Sequence, residues 1–226
     1  MKKIILLTIL FVSQVAAQSI GGGFMIGSPR GEYKHSNPHT GYGLQIQGML
    51  INPSEESPFG IGLDLGFLIY SSESEARPFS HTIPDVLVDV TRRNSMANMH
   101  LVFQVSPFHG RIQPYAELYG GGSYIYTTTE IEDIDIYDHV AVDVNYDDFA
   151  WSYGAGGGLK VLVSNPDFYG PEIFIDFKVR FLAGSTARFL TADDVIVKTG
   201  TSSVHYFPRE SETDLLTFTI GAEVRF

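Results

Sequence analysis

The chain of 226 residues has no cysteine, a single tryptophan and few basic side chains. Without cysteine there is neither a disulfide framework nor a lipid-modified cysteine anchor, so stability has to come from packing and hydrogen bonds. Fifteen Lys and Arg stand against 26 Asp and Glu, a formal charge of −11. Such a surface repels nucleic acid, which is excluded as a partner. Long apolar runs are missing too. The most apolar stretch, Ile4 to Val12 with Thr8 inside it, follows Lys2 and Lys3 and precedes the small residues Val15, Ala16 and Ala17. That order describes a cleaved secretory signal peptide, residues 1–17. Its apolar part is far below the roughly 20 residues a spanning helix needs. Removing Lys2 and Lys3 takes the charge of the mature chain, 18–226, from −11 to −13.

What the chain does have is period-two alternation. The final ten residues put Phe218, Ile220, Ala222, Val224 and Phe226 on one face and Thr217, Thr219, Gly221, Glu223 and Arg225 on the other. Seven further runs read the same way, near 20–28, 41–51, 58–71, 93–106, 112–128, 149–164 and 169–183, with the last strand over 213–226. Their length exceeds that of ordinary globular strands and suits tilted transmembrane strands of about nine to eleven residues. Long polar connections (29–40, 72–92, 129–148, 184–212) alternate with short turns (52–57, 107–110, 165–168) that carry Pro with Asn, Ser or Gly. This alternation predicts one all-β domain, an eight-stranded antiparallel up-and-down barrel spanning a membrane, with long extracellular loops.

The two faces differ consistently. Ile61, Leu63, Leu65, Phe67 and Ile69 oppose Gly62, Asp64 and Gly66; Ile173, Ile175, Phe177, Val179 and Phe181 oppose Asp176, Lys178 and Arg180. A soluble barrel would keep its apolar face inside, so the apolar face is assigned to lipid and the polar face to the lumen. Asp64, Glu117, Asp176 and Glu223 then balance Lys160, Lys178, Arg180 and Arg225, four against four. Because buried unpaired charge is costly, a neutral network is expected, bridged by Gln45, Gln47, Asn98, His100 and Tyr119. Eight strands leave an interior that side chains just fill, so a plugged lumen is expected rather than a pore. His100 has no sequence partner that suggests a catalytic triad, and no catalytic residue or cofactor is assigned. The glycine runs 21–23, 120–122 and 156–158 lie on strands, where they make room for Lys, Arg and Tyr; they are not phosphate loops.

The segment 129–148 contains eight acids and no Lys or Arg. Its interleaved Ile and Val predict that strands five and six continue above the membrane and turn near Tyr137–His139. Similar β-rich stretches at 86–90, 195–197 and 204–207 suggest that neighbouring loops add to a raised sheet. Asp133, Asp135 and Asp138 are the candidate ligands for a divalent cation, although the spacing is not that of an EF-hand. Aromatic girdles are expected from Tyr70, Tyr124, Tyr126, Trp151 and Tyr153 at the outer rim and from Phe59, Phe108, Phe168 and Phe226 at the inner one.

With these features the chain resembles the small OmpA/OmpX-type outer-membrane β-barrel proteins of Gram-negative bacteria over 18–226. Its carboxy-terminal Thr219-Ile-Gly221-Ala-Glu-Val224-Arg-Phe226 is similar to the segment read by the barrel assembly machinery, with Val224 where an aromatic is frequent. Pro114-Tyr-Ala-Glu117 also resembles a stretch of that superfamily. The resemblance implies location in the outer membrane, contact with its lipids and lipopolysaccharide, and handling by the assembly machinery. The fold leaves three functions open: a structural or surface-interaction protein with an extracellular protein partner, a narrow porin-like channel, and a lipid A-modifying enzyme. The balanced lumen and long loops favour the first. The enzyme would need a His/Ser constellation at the rim, and His81, His139 and His205 sit in loops without an evident partner.

Overall fold

The computed structural model describes residues 18–80, 83–133, 139–164, 170–190, 195–197, 204–206 and 208–226. The signal-peptide reading of 1–17 lies outside them, as do the third short turn with Phe168 and the tip of the hairpin at 134–138. Eight long strands carry the wall: β1 (Ser19–Pro29), β2 (Gly41–Ile51), β3 (Phe59–Ser80), β4 (Ile83–Val105), β5 (Ile112–Asp133), β6 (His139–Ser164), β7 (Glu172–Gly184) and β12 (Leu215–Arg225). Each pairs antiparallel with its sequence neighbour in this set, and β1 pairs with β12 to close the barrel. Following facing residues once around, Phe174, Glu223, Gly21, Gln47, Asp64, His100, Gly121, Ser152 and Gly184, returns to β7 ten residues further on. With eight strands that stagger corresponds to a tilt of about 40°, within the range of closed barrels.

Strand length divides the wall in two. β1, β2 and β12 have 11 residues each, enough to cross a bilayer when tilted. β3 to β6 have 22 to 26 and stand well above their neighbours. The continuation of the fifth and sixth strands expected over 129–148 is present, Glu132 pairing with His139, and 72–92, expected as a loop with some β character, is mostly strand too, with Ser80 opposite Ile83. Outside the wall, β8 (Thr186–Phe189) pairs with β11 (Arg209–Glu212), and β9 (Val195–Val197) with β10 (Val204–Tyr206).

The first long connection contains an element that period-two reading does not reveal, the helix α1 (Gly31–Ser36). Glu32 in its first turn and Lys34 and His35 in its last suit the helix dipole, and the Asn37 N–H donates to the Tyr33 carbonyl at its end. A helix this short would not hold in water. Tyr33, buried edge-on between Tyr70 and Phe189 at 5.8 and 5.3 Å, anchors it. Burial pushes the Tyr33 hydroxyl above its ordinary value, which keeps it neutral. The Arg30 N–H donates to the Asp214 carbonyl, and Arg209 to the Ser36 carbonyl, so the helix is tied to β11 and to the start of β12.

The outer face of the wall is apolar over its full circumference. Phe24, Leu44, Ile61, Leu101, Leu118, Trp151, Phe177 and Ile220 are all exposed, Trp151 at 69% and Leu101 at 66%. A belt this large and continuous is not sustained in water and has to meet a hydrocarbon medium. Facing residues on the same strands, Asp64, Asn98, His100, Gln104, Glu117, Lys160, Lys178 and Arg180, are buried. The inward and outward faces are thus those expected from alternation.

Candidate functional site

Starting at the mouth where β12 ends, Arg225 reaches Gln113 and Glu223 at 3.3 and 3.4 Å and Glu172 at 3.8 Å, with its guanidinium over the Phe174 ring. Glu223 passes the contact to Lys160, 2.6 Å away. The Lys160 ammonium donates to Gln104 and lies 4.9 Å from the Tyr115 ring centre. Glu117 is the hub of the next layer: it accepts from Gln104 at 2.7 Å, from Gln47 at 2.8 Å and from the Tyr119 hydroxyl, and it faces Lys178 at 3.5 Å. Lys178 also faces Asp176 at 3.7 Å and donates to Gln47; Asp176 accepts from the Tyr115 hydroxyl at 2.5 Å. Gln45 joins Gln47 to Asp64, and Asp64 is ion-paired with Arg180, both fully buried. Arg180 completes its donors on Thr217 and the Met25 sulfur.

All eight charged residues named from the sequence thus fall in one connected set, with Glu172 as a ninth member. Gln45, Gln47 and Tyr119 bridge it. His100 does not: although it faces Asp64 across the β3–β4 register, its Nε2 lies 2.6 Å from the Ser152 hydroxyl, itself 3.3 Å from Ser123. Asn98 is buried with no hydrogen bond to its amide. Sequence reasoning missed Gln104, Tyr115, Gln113, Glu172 and Thr217 as members. Parity reaches all five: Gln113 and Tyr115 share the inward face with Glu117, Glu172 with Asp176, Gln104 with His100 and Thr217 with Glu223.

Above Arg180 the interior changes character. Met25, Leu68, Tyr70, Met96, Ile125, Ala150, Leu182 and Leu215 point inward and form one cluster with Tyr33, Ala187 and Phe189. The inward face is therefore mainly polar in its inner half and mainly apolar in its outer half, with Thr127 a buried exception, where polar residues or glycine were expected throughout. Tyr70, assigned from sequence to the outer aromatic girdle, is 5% exposed and belongs to this cluster, because it shares the parity of Leu68. A side chain at Gly41 would meet its ring within 2.9 Å, so the facing strand leaves that volume to the tyrosine. Trp151 and Tyr153 are exposed at the outer rim; Phe59, Phe108 and Phe226 are exposed near the inner one.

At the inner mouth the turn residues Asn52, Pro53, His109 and Gly110, with Arg225 and Phe226, surround an open vestibule of about 700 Å³. Deeper, between Gln45, Gln47, Lys178, Thr219 and Glu223, a cavity of about 10 Å³ remains, about the size of one water. In the carboxy-terminal stretch, expected from the sequence to be an assembly signal, Thr219 is buried in the lumen, while Phe226 is 71% exposed beyond the wall. Asp135 and Asp138 lie outside the described residues, and Asp133 ends β5 with its side chain undescribed. Among the described residues no group of three or more His, Asp and Glu is placed to hold a metal ion.

No family model and no curated protein matches the chain. Solved structures that do match include Ail, the attachment invasion locus protein of Yersinia pestis, in complex with the heparin analogue sucrose octasulfate; identity is 13%, covering 92% of this chain and 97% of that one, with a TM-score of 0.42. Neisserial surface protein A matches at 10% identity over 92% and 96%, TM-score 0.41. A major outer membrane protein from Thermus thermophilus matches at 10% over 92% and 99%, TM-score 0.36. By its own strand order and closure, the chain has the eight-stranded antiparallel fold of the small outer-membrane barrels.

Proposed function

We propose that the chain is an integral outer-membrane protein with a plugged lumen that acts at the cell surface through its raised strands, as an attachment or scaffolding protein rather than as a channel or enzyme. The observation that carries this reading is the occupied interior. A charge-paired network fills the inner half and an apolar cluster the outer half, and moving a hydrated ion through the second would require displacing buried Leu, Met and Tyr side chains. Location in the outer membrane is supported by the apolar belt and by the signal-peptide pattern of 1–17. The His–Ser contact at His100 and Ser152 lies inside the wall, where a lipid headgroup has no access. The assembly-machinery role of Thr219, Gly221, Val224 and Phe226 and cation binding at Asp133, Asp135 and Asp138 belong to this proposal as secondary parts.

The partner read from charge is not a polyanion of the kind bound by Ail. The segment 129–148 has eight carboxylates and no Lys or Arg, the wrong sign for a sulfated sugar. Purified protein in a planar bilayer tests the plugged lumen: no steady conductance is expected, and reproducible ion-selective channels from the folded protein would overturn the reading.

A further inference from the structure

The apolar belt carries a recess on one side. Along β6, β7, β12 and β1 its outward residues stand in rows set by the strand register. One row runs Leu159, Phe177, Ile220 and Phe24; the next, toward the outer mouth, runs Gly157, Val179, Phe218 and Ile26. Seven of these eight positions carry a large apolar side chain, and Gly157 carries none. Ala116, opposite Gly157 on β5, is small as well. The two rows enclose a groove of about 400 Å³ on the outer face of the wall, deepened where the side chain is missing.

A hydrocarbon chain lying on an even belt meets the protein on one side only. In a groove it meets the floor and both walls, and these many weak contacts offset the cost of holding one chain still. The belt faces hydrocarbon, so the occupant that fits is an acyl chain, and the charges at the two rims select the lipid that carries it. At the outer ends of these strands stand Asp147 and Asp148 on β6 and Glu210 and Glu212 on β11, which leads into β12; Arg188 beside them is paired with Glu210. Such acids repel a lipid whose phosphates lie in the outer leaflet. At the inner end the Arg111 carbonyl accepts the Leu162 N–H at 2.8 Å. This sets the exposed Arg111 three residues below Leu159 along β6, about 10 Å away.

We propose that this groove is the site of one phospholipid of the inner leaflet, with an acyl chain laid between the two rows and the phosphate held at Arg111. The inference goes beyond the surface role of the raised strands and rests only on the membrane reading of the belt. An arginine at such a rim gives a phosphate oxygen a charge-assisted hydrogen bond while its methylenes lie along the apolar wall. Lipid A, whose phosphates would meet the acids at the outer rim, is the poorer occupant.

The test starts from the full-length protein, whose insertion into phosphatidylglycerol vesicles is checked first. In mild detergent, dipalmitoyl phosphatidylglycerol and lipid A are then added at equal concentration, and bound lipid is counted by native mass spectrometry. One retained phosphatidylglycerol per protein is expected, at least about tenfold over lipid A. Val179→Trp, which fills the groove from β7, should lower that retention at least about tenfold, and Leu159→Trp should do the same from β6. Leu101→Trp, equally exposed to lipid on β4, should leave it unchanged, and Arg111→Glu should reduce it. Retention of no lipid, preference for lipid A, equal loss in all three tryptophan variants, full retention by Arg111→Glu, or a dimer that excludes lipid overturns the site. Failure to insert would overturn the membrane reading and the site with it, so the two failures are distinguishable.

Discussion

The inner and outer halves of the barrel interior are enclosed by the same strands and solve the same problem differently. In the inner half nine ionised side chains and their amide and phenol bridges leave almost no room; in the outer half the space is taken by Leu, Met, Tyr and Phe. A charged interior works only if each member keeps its partner, because the desolvation of an ion is offset by a specific neighbour at a specific distance. An apolar interior is more forgiving, because its stabilisation is spread over many weak contacts. The division has a further consequence. The outer half can be completed by residues from connections, such as Tyr33 and Phe189, since dispersion contacts need only shape.

This contrast sets an order of sensitivities. The largest effect is expected from Asp64→Ala, which leaves Arg180 fully buried without its carboxylate and should cost on the order of 4 kcal/mol. The urea unfolding midpoint in detergent micelles measures it. Replacing both members, Asp64→Leu with Arg180→Met, should recover most of the loss; a double variant as unstable as the single one would mean that pairing is not what the site depends on. Next comes Leu68→Ala in the outer half, at about 3 kcal/mol for a fully buried leucine, measured the same way. If that loss exceeds the one at Asp64, the supposed difference between the halves fails. The smallest effect is expected at the exposed Arg188–Glu210 pair, 2.9 Å apart on β8 and β11. Arg188→Ala should leave the midpoint unchanged within error, since solvent and salt screen such pairs.

Much of the barrel was legible in the chain because a strand's period is two residues. Leu101 outward and His100 inward follow from neighbouring positions, and one parity runs through most of each wall strand, interrupted where the register shifts, as between Ile69 and Ser71 and between Thr127 and Thr128. The eight charged lumen residues were identifiable for the same reason. Met25, Leu68 and Met96 share the inward parity but were not singled out, because an apolar residue on the inward face reads as an irregularity until several strands bring such residues to one level. Tyr70 went astray in the same way, as an aromatic near a rim whose direction is set by the register of its own strand. The helix at 31–36 left no clear signal, since so short a segment carries little periodicity and Tyr33 is fixed by contacts far away in sequence.

The sequence by itself determined the direction of most wall side chains and the number of crossings, both of which depend on spacing along one chain; it counted four acids against four bases inside, to which the structure adds Glu172 at the inner mouth. Only the tertiary structure decided which acid meets which base. Lys178 donates to Gln47 across 131 positions of sequence, and Arg180 pairs with Asp64 across 116. Those partners are chosen by the stagger of the closed wall, which no single strand contains, and by the reach of long side chains across a narrow interior.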